Sequence, residues 1–223
     1  NAVILAAGRG DGLDELTRDR PKSMIPIAGT PLLRRLVDKF KKRDIDDITV
    51  VAGYQADSID VSGIKKVVND AYADSGELQS LTCASASFSG DMVICYGDLL
   101  LRSYILRDLV ETDADICVVV DSAIGEACGH GAQDFAYCSE PDDRSMWGQA
   151  VTLRRIAGAA TNTKDDAPNG RWFGMLRVRG QGRSQFLNAL NTMREREDFG
   201  ELGMPDLINH LVDTGSTVRV WYI

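Results

Sequence analysis

The apolar run Ala2-Val-Ile-Leu-Ala6 breaks off at Gly8-Arg-Gly-Asp-Gly12, and this junction constrains the fold more than any other feature of the chain. An uninterrupted apolar segment of strand length is buried on both faces, which is the situation of a strand inside a parallel sheet. Glycines at its end open it into a loop whose backbone N–H groups are free to face an anion. Further apolar, β-rich runs alternate with segments of helical period. Strands are expected at Ile48–Ala52, Lys66–Asn69, Met92–Tyr96 and 115–121, and helices at 31–42, in part of 76–87, and at Ser103–Glu111. Alternation of this kind predicts βαβ units and a mainly parallel sheet.

After residue 122 the character changes. Glycines crowd 122–134, and 161–170 is a polar loop with proline and Asn-Gly. Strand-like pieces are expected at 134–138, 151–156 and 172–178, then helices at 181–196 and 204–212 and a last strand at 217–223. The expected fold is therefore α/β: a Rossmann-like, mixed but mainly parallel sheet flanked by helices. We expect one domain, its core formed by 1–121 and 181–223, with a small lid subdomain at about 122–180.

With 223 residues the chain is long enough for one large core. A net charge of -8 argues against a general nucleic-acid binder. No apolar run reaches the roughly 20 residues of a membrane span. The start at Asn1 carries no charged-then-apolar leader, so a cytoplasmic protein is expected, with residues missing at both ends. Five cysteines, at 83, 95, 117, 128 and 138, lack any C-x-x-C spacing, which suggests reduced, mostly buried thiols and neither a zinc site nor a disulfide framework.

Gly8, Gly10 and Gly12 let the backbone approach a ligand closely, although the same pattern serves an ordinary strand-to-helix turn. Arg9, Arg18, Arg20 and Lys22 gather at this loop, and Pro21 holds the chain rigid enough to aim Lys22 inward. Asp98, after the strand and Gly97, is a hard oxygen ligand suited to Mg²⁺ on nucleotide phosphates, or else a helix N-cap. Asp121 ends another apolar strand and serves a metal, a substrate ammonium or only a capping N–H. His130 and His210 read as structural. Trp147 and Trp172 flank the polar loop and serve stacking on a ligand or ordinary packing.

These residues resemble the sugar-phosphate-type nucleotidyltransferases, which activate sugar phosphates, phosphocholine and phosphonates with an NTP. The likeness runs over nearly the whole chain: Leu5-Ala-Ala-Gly-Arg-Gly10, Arg20-Pro-Lys22 and Gly97-Asp98 match that family's motifs. Gly76-Glu-Leu-Gln-Ser-Leu81, Tyr96-Gly-Asp98 and Val119-Val-Asp121 further resemble the phosphonate cytidylyltransferases, often encoded with or fused to phosphoenolpyruvate mutase, with phosphocholine cytidylyltransferases as near relatives. The resemblance implies a nucleotide-diphospho-sugar transferase fold, with backbone groups of Ala6, Ala7 and Gly8 holding base and ribose and with Leu5 and Gly97 also among the nucleotide-binding residues. It places Arg9 and Gly10 on the triphosphate, Lys22 on the α-phosphate, Ser80 near the base and Mg²⁺ at Asp98, with Asp121 and Trp172 selecting the acceptor.

The reaction so implied is Mg²⁺-dependent transfer of CMP from CTP to a small phosphonate, such as 2-hydroxyethyl- or 2-aminoethylphosphonate. Phosphocholine or a sugar 1-phosphate is the alternative acceptor. Two departures stand out: Asp11-Gly12 where the family carries Ser or Thr then Arg, and an end at Trp221-Tyr222-Ile223, short of a second metal-binding aspartate. Both leave room for a nucleotide-binding domain with little catalysis.

Overall fold

The computed structural model describes residues 1–10, 12–123, 134–144, 149–158 and 167–223. Asp11, Cys128, His130 and Trp147 lie outside them. In chain order the elements are β1 (Ala2–Ala6), β2 (Pro26–Ile27), β3 (Thr30–Pro31), α1 (Leu32–Lys41), β4 (Ile48–Ala52), β5 (Lys65–Val68), α2 (Glu77–Cys83), β6 (Met92–Tyr96) and α3 (Ser103–Glu111). They continue with β7 (Ile116–Asp121), β8 (Phe135–Cys138), β9 (Leu153–Ala157), β10 (Gly170–Val178), α4 (Gly180–Arg194), α5 (Met204–Asp213) and β11 (Val218–Tyr222).

The main sheet runs β11-β7-β10-β6-β1-β4-β5. Every pairing along it is parallel except the two made by β10, so the sheet is mixed and mostly parallel, as expected. All five residues of β1 are buried. Their period-two alternation sends Val3 and Leu5 into a core with α2, α4 and α5, and Ala2, Ile4 and Ala6 into a second core with α1 and α3. Helix α1 shows how the sequence meets this need. Leu32, Leu33, Leu36, Val37 and Phe40 form one buried stripe, and charged residues cover the other side.

The structure redraws the expected lid. Of 122–180, residues Gly170–Val178 lie within the main sheet, where β10 runs antiparallel between β6 and β7 with Met175, Leu176 and Val178 fully buried. The antiparallel pair β8 and β9 extends from the start of β10, through Gly170 opposite Ala136. It is tied to α5 by Asn209, whose side chain accepts from Ile156 N at 2.7 Å and donates to Ile156 O at 2.8 Å. The register of β10 shifts between Trp172 and Leu176 around Gly174, at φ +81°, where any Cβ would collide with the Tyr96 ring. Among the described residues no helix is long and apolar enough to cross a membrane.

Candidate active site

Strand β1 lies between β4 and β6, whose chain connections leave on opposite sides, and a crevice opens beyond the carboxyl ends of such strands. A cavity of about 370 Å³ occupies this place, within the range of small-molecule sites. One wall is the end of β1 and its loop: Leu5, Ala6, Ala7, Gly8 and Gly10. Lys22, Ser23 and Asp98 form the second wall; Tyr72, Ser75, Glu77, Ser80 and Tyr96 complete the lining with Gly76.

Two residues far apart in sequence meet here. Lys22 opens a single 3-10 turn, Lys22–Met24, after extended Pro21, and its Nζ lies 2.6 Å from Asp98 Oδ2. Gly10 makes room for this lysine: it sits at φ +89°, and a Cβ there would stand 2.9 Å from Lys22 Cβ. Gly97 does not line the cavity but brings β6 against β1. Its N–H donates to Leu5 O at 2.8 Å, and a Cβ would stand 2.8 Å from Ala6 Cβ. Asp98 is thereby delivered to the cavity lip, half-buried, with one carboxylate oxygen on Lys22.

Other expected site residues lie elsewhere. Arg9 reaches over the Tyr54 ring, 5.4 Å from its centroid, and is not part of the cavity wall. Arg18 pairs with Glu15, and Arg20 with Asp19 at 2.8 Å, so the cluster of cations is largely spent on neighbours. Asp121 accepts from Ala123 N at 2.9 Å and faces Arg171 at 3.8 Å; it does not line the cavity. Trp172 is buried in the sheet, not displayed on a lid. Its Nε1 donates to Met175 O at 3.0 Å, and its ring meets Tyr96 edge-on at 5.3 Å. Tyr96 in turn lines the cavity, whereas Trp172 does not.

Ser23, Tyr72, Ser75, Gly76, Glu77 and Tyr96 line the cavity without being among the site residues expected from the sequence. Glu77 and Ser80 are three apart on α2 and so share a face, but that spacing alone does not say which face meets the cavity. Glu77 Oε2 accepts from Tyr96 OH at 2.7 Å and from Met204 N at 2.9 Å, and burial followed by this carboxylate pushes the Tyr96 phenol well up. Asp134 is raised to about 6 by burial first, then by Glu77 and Asp206. Its folded pKa exceeds the usual 3.8, so the folded state holds the proton more tightly, and stability is lost as pH rises between those values. Asp134→Asn is therefore expected to raise the melting temperature at about pH 7.5 but not at about pH 4. An equal gain at both, read by thermal melts, would assign the effect elsewhere.

Asp98 retains an oxygen not engaged by Lys22, and the described residues contain no cluster of three metal-ligating side chains. A single carboxylate is a donor set that fits Mg²⁺, which is commonly held by one or two carboxylates, substrate phosphates and water.

The family profile described as the MobA-like NTP transferase domain matches residues 2–164. A choline-phosphate cytidylyltransferase of Streptococcus pneumoniae is 30% identical over 115 residues, 50% of this chain and 50% of that protein. A CTP:phosphoglutamine cytidylyltransferase of Campylobacter jejuni is 26% identical over 136 residues, 55% of this chain and 53% of that one. The matches thus span about half the length of these relatives. The solved structure of a Streptococcus pneumoniae CTP:phosphocholine cytidylyltransferase superposes with a TM-score of 0.75 at 20% identity, covering 100% of this chain and 89% of that one, a likeness of fold.

Proposed function

This chain belongs to the MobA-like NTP transferase domain family, and from that premise we propose that it transfers CMP from CTP to an ionised oxygen of a small phosphonate, releasing pyrophosphate. The observation that carries the reading is the Lys22–Asp98 pair, 2.6 Å apart at the lip of a cavity of about 370 Å³ beside the glycine loop. In the reaction an acceptor oxygen attacks the α-phosphorus, the new P–O bond forms, and the bond to the bridging oxygen of the departing pyrophosphate breaks. The attacking oxygen is already charged, so no side chain needs to remove a proton.

The remaining demands are alignment and charge neutralisation. Lys22 meets the charge developing on the α-phosphate, and the close backbone at Gly8 and Gly10 seats the triphosphate. Asp98 would hold Mg²⁺, which when bound neutralises phosphate charge and orients the leaving group.

One observation favours an acceptor carrying a cation. Glu77 lines the cavity with Asp134 and Asp206 close behind it, and a positive headgroup, such as the ammonium of 2-aminoethylphosphonate or the trimethylammonium of phosphocholine, complements those carboxylates. The test is pyrophosphate release with Mg²⁺ and each NTP, across hydroxyethylphosphonate, aminoethylphosphonate, phosphocholine and sugar 1-phosphates. CTP with a phosphonate is the expected pair. Release only with phosphocholine or a sugar phosphate would replace the acceptor, and silence with nucleotide still bound would leave a nucleotide-binding domain.

A further inference from the structure

Asn69 stands just past β5, 3% exposed, and every polar group of its side chain is engaged. Its Oδ1 accepts from Ala71 N at 3.0 Å. A backbone N–H only donates, so this contact fixes which end of the amide is oxygen. The NH₂ group then faces two hydroxyls, donating to Ser80 Oγ at 2.9 Å and to Ser75 Oγ at 3.0 Å. Both serines line the cavity, and Ser80 is 6% exposed.

An amide NH₂ cannot accept. Each serine must therefore spend a lone pair on Asn69 and point its own proton elsewhere, and neither hydroxyl donates to a protein acceptor among the described residues. Two O–H donors, held side by side on one nitrogen, are thus turned away from the protein.

We infer that Asn69 is a positioning residue that commits Ser75 and Ser80 to donate into the cavity, and that this pair selects cytosine over uracil. The inference rests on the nucleotide reading given above. Cytosine presents adjacent acceptors, N3 and O2, to two such donors, whereas uracil carries a proton on N3 that opposes one of them. Selection follows from the direction of the two protons rather than from the shape of the cavity, because the two bases are nearly the same size.

The test is Asn69→Asp, which keeps the acceptor for Ala71 N but replaces the NH₂ by an oxygen. The serine protons then turn toward the carboxylate and their lone pairs toward the ligand. Affinities for CTP and UTP are measured by calorimetry, with kcat and KM for each nucleotide in the full chain. The expected result is a fall in the CTP-to-UTP preference of between roughly tenfold and a hundredfold, carried by KM with kcat at saturating CTP little changed. Should Asn69→Asp fail to fold, Ser75→Ala and Ser80→Ala each remove one donor without a new charge, and each is expected to weaken CTP more than UTP.

Equal weakening of both nucleotides, or an unchanged ratio in folded variants, overturns the role of Asn69 and leaves CTP as the substrate. A native chain that itself prefers UTP overturns both readings. Preference for CTP with no phosphonate turnover overturns only the acceptor.

Discussion

Asp98→Asn is expected to lower turnover with CTP and its acceptor on the order of a thousandfold, while the protein still folds. The side chain stands partly exposed just past a strand end and is ion-paired with Lys22, and the amide keeps its shape while losing its charge. A neutral amide there is a poor ligand for a divalent ion shared with the triphosphate. The measurement is kcat at saturating nucleotide over a series of Mg²⁺ concentrations, beside a thermal melt. Turnover within about tenfold of the native chain, with an unchanged metal requirement, would remove Asp98 from the metal site.

That Asp98 was legible in the sequence, whereas Glu77 was not, has a physical reason. Asp98 follows the apolar run Met92–Tyr96 and a glycine, and the end of a buried strand is where a ligand crevice opens. Lys22 was legible for a related cause: Pro21 limits where the next side chain can go. Glu77 enters the cavity because α2 packs over β1, a contact between segments some seventy residues apart that no local pattern records. Tyr96 was visible as the last residue of a strand, but its hydrogen bond to Glu77 depends on that same long-range packing.

The fold divides in the same way. The apolar strands and amphipathic helices are local properties, and most of their bounds fall within a residue or two of expectation: Met92–Tyr96 and Ser103–Glu111 coincide with β6 and α3. What periodicity does not encode is which strand lies beside which. Trp172–Val178 reads equally well as a lid strand or a central one, and its insertion between β6 and β7 is what buries Trp172 in the main sheet. The Arg9–Arg18–Arg20 cluster is harder to read for the opposite reason. Charge density in sequence says nothing of nearby counter-charges, and Glu15 and Asp19 take up two of these three cations.

Lys22→Ala is expected to reduce kcat by roughly a hundredfold to a thousandfold, with a smaller loss in nucleotide affinity, because in the proposed reaction the charge it would meet on the α-phosphate is greatest in the transition state. Its effect is tied to that of Asp98. The two groups are 2.6 Å apart, so each sets the position and electrostatic surroundings of the other. Removing the lysine leaves the carboxylate without its counter-charge, and removing the carboxylate frees the lysine to swing.

The double variant Lys22→Ala with Asp98→Asn is therefore expected to lose less activity than the product of the two single losses, as residues that act together do. Multiplicative losses, measured as kcat in a double-mutant cycle, would mean that the pair is a resting contact that nucleotide binding separates before the chemical step. Gly10 argues against that independence: a Cβ there would crowd the lysine stem, so the glycine loop proposed to seat the triphosphate also sets where the Lys22 ammonium stands.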